Sequence, residues 1–170
     1  MAVPLLLICL PIISLTSAGA PIFAQQRVGR QQRHFTCYKL RTMRLGTVSA
    51  ASHEVPATAV TPFGAFLRRS KLDELPQLWN VLVGEMSLVG PRPCLPSQTA
   101  LIAARDARGV FSLRPGITGP AQVLGVDMSD PEQLSRLDQT WLQNRSVRAY
   151  LALIALTLIG RGRGDRVRAR

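Results

Sequence analysis

Lys71-Leu72-Asp73-Glu74-Leu75-Pro76-Gln77, followed closely by Gly90-Pro91-Arg92-Pro93, places two adjacent carboxylates at the start of a helix. Leu75, Leu78, Trp79 and Leu82 fall at i, i+3, i+4 and i+7 on one helical face, and Gly84 is a natural stop. Pro76 belongs in the first turn, where its missing N–H costs nothing, which puts Asp73 at or near the N-cap with Ser70 and Asp73 as a capping box. An acidic pair at such a place has an ordinary use, because carboxylates accept the free N–H groups and favour the dipole. The neighbours suggest a second use. Arg68, Arg69 and Lys71 crowd the pair with cations, which lower a carboxylate's pKa and keep it ionised. Helix starts also bind phosphate. A carboxylate that attacks phosphorus needs such surroundings, since cations must hold the phosphate oxygens while the acid approaches.

The turn Gly90–Pro93 holds Arg92 between two prolines, so stiff backbone on both sides aims one guanidinium at a fixed point. Arg114, also beside a proline, permits the same argument with less force. It opens Arg114-Pro115-Gly116-Ile117-Thr118-Gly119, a rigid, turn-rich connector. After it, Ser129-Asp130-Pro131 announces a second helix with Leu134, Leu137 and Trp141 on one face; Asp138 beside Leu137 reads as a solvated residue. Before the acidic pair, Pro21 to Leu40 has the pattern of a β-hairpin: Ile22-Phe23 and Phe35-Thr36-Cys37-Tyr38 are strand formers, and Val28-Gly29-Arg30 with the glutamines makes the turn. Residues 45–62 lack apolar periodicity and read as a mobile surface loop, with His53 and Glu54 as bystanders.

Met1 to Gln26 carries no charge, and Met1 to Ala24 is largely apolar. A signal peptide lacks its basic first region here. A spanning helix has the length, but Pro11 stands in mid-segment and removes a backbone hydrogen bond. The third reading is a segment that enters the membrane, turns at Pro11 and returns to the same face. Six cations between Arg27 and Arg44 put the rest of the chain on the cytoplasmic side. At the other end, Ala149 to Ile159 is apolar but too short to span, and a tail rich in arginine comes after it. This suits a shallow helix on an anionic surface, or equally a core helix with a solvated tail.

The chain of 170 residues has 21 Lys+Arg against 10 Asp+Glu, a formal charge of +11. Nearly all the cations are arginines, which bind phosphate in bidentate fashion. That balance suits nucleic acid, an anionic membrane surface or a phosphorylated substrate. Only 5% of residues are aromatic, too few for the stacking platforms of a single-strand nucleic-acid binder. Cys9, Cys37 and Cys94 are odd in number and show no metal-binding spacing.

The run from Lys71 to Pro93 resembles the core signature of the bacterial sugar transferases, the monotopic phosphoglycosyl transferases. The likeness continues through Gly19-Ala20-Pro21-Ile22-Phe23, Gln26-Arg27-Val28-Gly29-Arg30, Tyr38-Lys39-Leu40-Arg41-Thr42-Met43, the Arg114–Gly119 connector and Ala121-Gln122-Val123. The resemblance implies an α+β fold, mostly helical with a small β-hairpin. It implies a re-entrant membrane helix over residues 1–26 with its break at Pro11, a cytoplasmic catalytic domain over 27–145, and a C-terminal interfacial helix and basic tail over 146–170. The implied reaction moves a sugar 1-phosphate from a UDP-sugar donor to undecaprenyl phosphate, releasing UMP and starting a bacterial surface glycan. Asp73 is then the nucleophile and a contact for Mg²⁺, Glu74 its catalytic partner, and Arg68, Arg92 and Arg114 the holders of phosphate. The expected setting is the cytoplasmic face of the inner membrane among anionic lipids, with no nucleic-acid partner and with a homodimer admitted. The uncharged start of the chain keeps one alternative: an inactive, truncated relative serving as a membrane-bound scaffold.

Overall fold

A computed structural model describes residues 2–17, 19–47 and 55–160. His53, Glu54 and the basic tail beyond Gly160 lie outside the described residues, as does the middle of the expected surface loop. The elements are α1 (Ala2–Thr16), β1 (Ile22–Val28), β2 (His34–Leu40), α2 (Pro62–Ser70), α3 (Gln77–Leu82), β3 (Ser87–Val89), α4 (Thr99–Asp106), β4 (Gly116–Thr118), α5 (Pro120–Val123), α6 (Pro131–Gln143) and α7 (Val147–Leu158). The mixed, mostly helical reading holds.

The hairpin forms as its composition predicts. Strands β1 and β2 pair antiparallel from Ile22↔Leu40 to Val28↔His34, and Gln31 and Gln32 supply positive φ in the turn. Phe35 and Cys37 turn inward to pack with Met86. Lys39 shares their side of the strand by the two-residue alternation. Among the described residues β2 pairs with β1 alone, so its other edge carries backbone groups that need partners. Asn80 of α3 supplies them: its Nδ2 donates to the Thr36 carbonyl at 2.8 Å, and its Oδ1 accepts from the Tyr38 N–H at 3.2 Å. Asn80 is fully buried and also donates to Glu85 at 2.7 Å. Replacing it by leucine strands those backbone groups in the interior, a loss of about 3 kcal/mol that urea unfolding would register.

This edge inverts the helix expected after the acidic pair. Gln77 and Asn80 face inward, while Trp79, 60% exposed, and Leu82 face out. The periodicity identified residues sharing a face but not the direction of that face, because α3 docks on a strand edge whose free groups are polar.

Helix α1 also departs from expectation. Pro11 lies inside one continuous helix, not at a reversal of the chain. One lost hydrogen bond can be absorbed when both halves are held. Cys9 and Ile13, on either side of Pro11, are buried together against Leu40 of β2 and Leu67 of α2. Among the described residues no helix is long and apolar enough to cross a membrane; α1 has 15 residues, about 22 Å at 1.5 Å per residue.

The connector at Arg114–Gly119 is more than a turn. Its centre is β4, which pairs in parallel with β3 at Ser87↔Gly116 and Val89↔Thr118. Behind this pair, Val28, Cys94, Leu101, Ala121 and Leu134 form a core joining the hairpin to α4, α5 and α6. Asp130 caps α6 by accepting from the Gln133 N–H at 2.9 Å, as its Ser-Asp-Pro start predicts. Ser146 does the same for α7 through the Ala149 N–H at 3.1 Å. Asp138 is not solvated: it is buried on α6 against Arg105 of α4.

Candidate active site

Helix α2 ends at Ser70, and Lys71 takes the left-handed conformation at φ 58°. The chain then tightens into one 3₁₀ turn, Leu72–Glu74, that carries both carboxylates. Asp73 is therefore not a cap. Helix α3 begins after Pro76, which makes no side-chain capping bond, and Ser70 Oγ donates back to the Phe66 and Leu67 carbonyls. The local turn delivers two neighbouring carboxylates inward, and both are buried, Asp73 being 7% exposed.

The two are held differently. Glu74 Oε1 accepts from Arg92 Nη1 at 3.1 Å and from Lys39 Nζ at 3.5 Å, so one oxygen gathers two cations. Asp73 lies on the wall of a cavity of about 300 Å³ beneath the hairpin. Arg27, Lys39, Arg41, Arg44 and Arg68 line the same cavity, with Ile22, Phe23 and Leu45 adding apolar surface. Burial pushes the Asp73 carboxyl up to about 6, with Glu74 adding to the rise, although Lys39, Arg68 and Arg92 pull it down. The sequence alone suggests the opposite direction. Desolvation outweighs three cations because the turn buries the group instead of displaying it at a helix end. A carboxylate so placed changes charge near pH 6 and is partly stripped of water when ionised, which suits a nucleophile.

The segment Gly90–Cys94 is anchored residue by residue. The Gly90 N–H donates to Thr118 at 2.8 Å, the Pro91 carbonyl accepts from Gly116 N at 2.9 Å, and the Cys94 carbonyl accepts from Val28 N at 2.9 Å. Arg27 Nη1 donates to the Pro93 carbonyl at 3.0 Å. Arg92 thus projects from a fixed frame, as its flanking prolines suggest, and its guanidinium is directed to Glu74.

Of the residues singled out in the sequence, Asp73, Glu74, Arg68 and Arg92 come together. Arg114 does not. It lines a separate, open cleft with Arg30, Arg145 and Tyr150. Pro11 lies within α1, outside the lining of the Asp73 cavity. Lys39 is the site residue that motif reading passed over. Its signal is the alternation Phe35, Cys37, Lys39, which puts a cation on the inward side of a strand.

No cluster of three or more His, Cys, Asp or Glu side chains exists among the described residues, so the donors present do not form an all-protein metal cage. A single buried carboxylate on the cavity wall does fit the way Mg²⁺ is commonly held, through one or two carboxylates with the remaining positions left to water and substrate phosphate.

Comparison with known proteins identifies the family. The sequence model of the family described as bacterial sugar transferase matches residues 1–161. The chain is 34% identical over 172 residues to the UDP-galactose-lipid carrier transferase of Erwinia amylovora, covering 91% of this chain and 36% of that protein. It is 38% identical over 141 residues to the uncharacterized sugar transferase EpsL of Bacillus subtilis, covering 82% and 69%. Against the UDP-glucose:undecaprenyl-phosphate glucose-1-phosphate transferase of Xanthomonas campestris pv. campestris it is 36% identical over 170 residues, covering 92% and 34%. The chain thus spans about a third of the Erwinia and Xanthomonas relatives and about two thirds of the Bacillus one.

Proposed function

The chain belongs to the bacterial sugar transferase family, and from that premise we propose that it transfers a sugar 1-phosphate from a UDP-sugar to undecaprenyl phosphate through a covalent intermediate on Asp73. The observation that carries the reading is a single buried carboxylate on a cavity lined by five cations. In the first step an Asp73 carboxylate oxygen attacks the phosphorus that bears the sugar. The new O–P bond forms as the bond to the bridging oxygen of the diphosphate breaks, and that oxygen leaves with UMP. In the second, an oxygen of undecaprenyl phosphate attacks the same phosphorus and Asp73 departs as a free carboxylate, leaving a lipid diphosphate sugar.

Arg68 and Lys39 stand beside Asp73 on the cavity wall and neutralise the phosphate oxygens during both displacements. Glu74, held by Arg92 and Lys39, orients the acceptor phosphate and takes its proton when it arrives protonated. Mg²⁺ held by Asp73 and the diphosphate would supply additional charge neutralisation. The apolar walls contributed by Ile22, Phe23 and Leu45 suit the lipid end of the acceptor. We place the protein on the cytoplasmic face of the inner membrane, with α1 and α7 toward the lipid.

Purified protein in detergent, given Mg²⁺, polyprenyl phosphate and a panel of UDP-sugars, releases UMP from at least one donor. Absence of release from every donor overturns the reading in favour of an inactive membrane-bound scaffold. The pH dependence derives from Asp73. Only its ionised form attacks, and its pKa stands near 6. The initial rate of UMP release at subsaturating donor therefore falls about tenfold per pH unit below 6 and levels off above it. A rate independent of pH between 5 and 8 removes Asp73 as the titrating nucleophile.

A further inference from the structure

Arg105 and Asp138 form a buried ion pair that touches none of the groups assigned above to bond making or breaking. Arg105 is 2% exposed and Asp138 1%. Arg105 sits in the last turn of α4 and Asp138 in the middle of α6. The Arg105 Nε donates to Asp138 Oδ2 at 2.9 Å, and Nη2 lies 2.7 Å from the same oxygen. The remaining arm, Nη1, donates to the main-chain carbonyl of Arg92 at 2.8 Å. Arg92 in turn reaches Glu74 with its side chain at 3.1 Å.

A buried arginine–carboxylate pair is weakly justified as a source of stability, since well-packed apolar residues of the same volume often serve as well or better. Its geometry offers another use. The guanidinium is a rigid planar fork. Asp138 Oδ2 takes the Nε hydrogen bond with Nη2 in ion-pair contact beside it, and this hold at one end of the fork orients the plane and with it the direction in which Nη1 points. That arm ends on the carbonyl of the residue that grips Glu74, between the two prolines. The carbonyls of its neighbours Pro91, Pro93 and Cys94 are held by Gly116, Arg27 and Val28. Arg105 completes that series at Arg92 itself.

We propose that Arg105 and Asp138 are positioning residues, which set the height of Arg92 and through it the placement of Glu74. The proposal rests on the catalytic reading of Asp73 and Glu74. It adds that α4 and α6, which contribute nothing to the cavity wall, are coupled to catalysis through one main-chain carbonyl. Lysine at 105 keeps the charge but has no fork: its ammonium can stay with Asp138 or reach the Arg92 carbonyl, without defining an orientation for both.

Arg105→Lys is therefore expected to lower kcat by about 10- to 100-fold, the scale of a sub-ångström to 1 Å displacement at a reacting group, with the donor KM changed less than about twofold. The decisive comparison is a double-mutant cycle with Arg92→Lys. If Arg105 acts through Arg92, the second substitution costs less than about twofold in the Arg92→Lys background. Equal losses in both backgrounds mean that the pair is merely structural and overturn the proposal, while leaving the Asp73 reading intact. A second measurement does not depend on turnover. In protein labelled with ¹⁵N-arginine, the Arg92 side-chain Nε–H signal, assigned by its loss in Arg92→Lys, should broaden or exchange faster in Arg105→Lys and in Asp138→Asn. An unchanged Arg92 signal in folded variants contradicts the proposal, even if no donor supports UMP release and the catalytic reading itself falls.

Discussion

Asp73→Asn is expected to reduce UMP release by at least about 10³-fold and, at pH 7, to make the protein more stable. The first effect comes from losing the attacking oxygen: an amide is not a nucleophile toward phosphorus, and no second carboxylate can take over while Glu74 is held by Arg92 and Lys39. The second comes from burial. The Asp73 carboxyl ionises near 6 in the folded protein against an ordinary value of 3.8. Its folded pKa is raised, so between about pH 4 and 6 the folded state retains a proton that the unfolded chain has released, and stability falls as pH rises through that window. Above 6 the full penalty remains, on the order of 2–3 kcal/mol for a rise of that size. Asparagine carries no charge to desolvate. Thermal unfolding at pH 7 should show Tm raised by about 5 °C, and the difference should vanish near pH 4. A Tm lowered at pH 7 would mean that attraction to Lys39, Arg68 and Arg92 outweighs desolvation, reversing the electrostatic account.

Gly116→Ala is the second large effect, and here the site is lost through the backbone. A Cβ at Gly116 would lie 2.1 Å from the Gly90 nitrogen, 2.5 Å from the Thr118 carbonyl oxygen and 2.7 Å from the Gly90 Cα. All three are main-chain atoms with no flexible end to move aside. Gly116 pairs with Ser87 and lies against the backbone of Gly90 just past the end of β3, and the Gly116 N–H is what holds Pro91. Accommodating the methyl separates the strands and carries the Gly90–Cys94 frame with them. The expected cost is at least about 3 kcal/mol, and the surviving folded fraction should show reduced turnover because Arg92 no longer reaches Glu74. Unfolding by urea together with activity per folded molecule would measure both. A variant with unchanged stability and activity would show that the frame is more yielding than its contacts imply.

The parts of this site legible in the sequence are those carried by consecutive residues. Asp73-Glu74 and the proline-flanked Arg92 stand out because composition and local stiffness mark them, and Arg68 is implied by its nearness in the chain. The hairpin and the start of α6 are legible for a similar reason, since turns and caps are local chemistry. Lys39 is readable in principle from strand alternation, but only once the inward side of β2 is known. Arg105 and Asp138 are not, since 33 positions separate them and each looks like a surface residue of an amphipathic helix until the helices pack. The three-residue strands β3 and β4 are too short to show any period. Trp79 and Leu82 show the remaining limit: periodicity groups residues on a face, while the polar edge of β2 decides which face turns inward.

The most direct test of the covalent mechanism is intact and peptide mass spectrometry of the protein after incubation with a competent UDP-sugar and Mg²⁺ in the absence of polyprenyl phosphate. Attack by Asp73 predicts a mass increase equal to one sugar 1-phosphate less one water, located on the peptide containing Asp73, absent from Asp73→Asn, and discharged when undecaprenyl phosphate is added. Turnover without any such adduct, or an adduct on a residue other than Asp73, would contradict it.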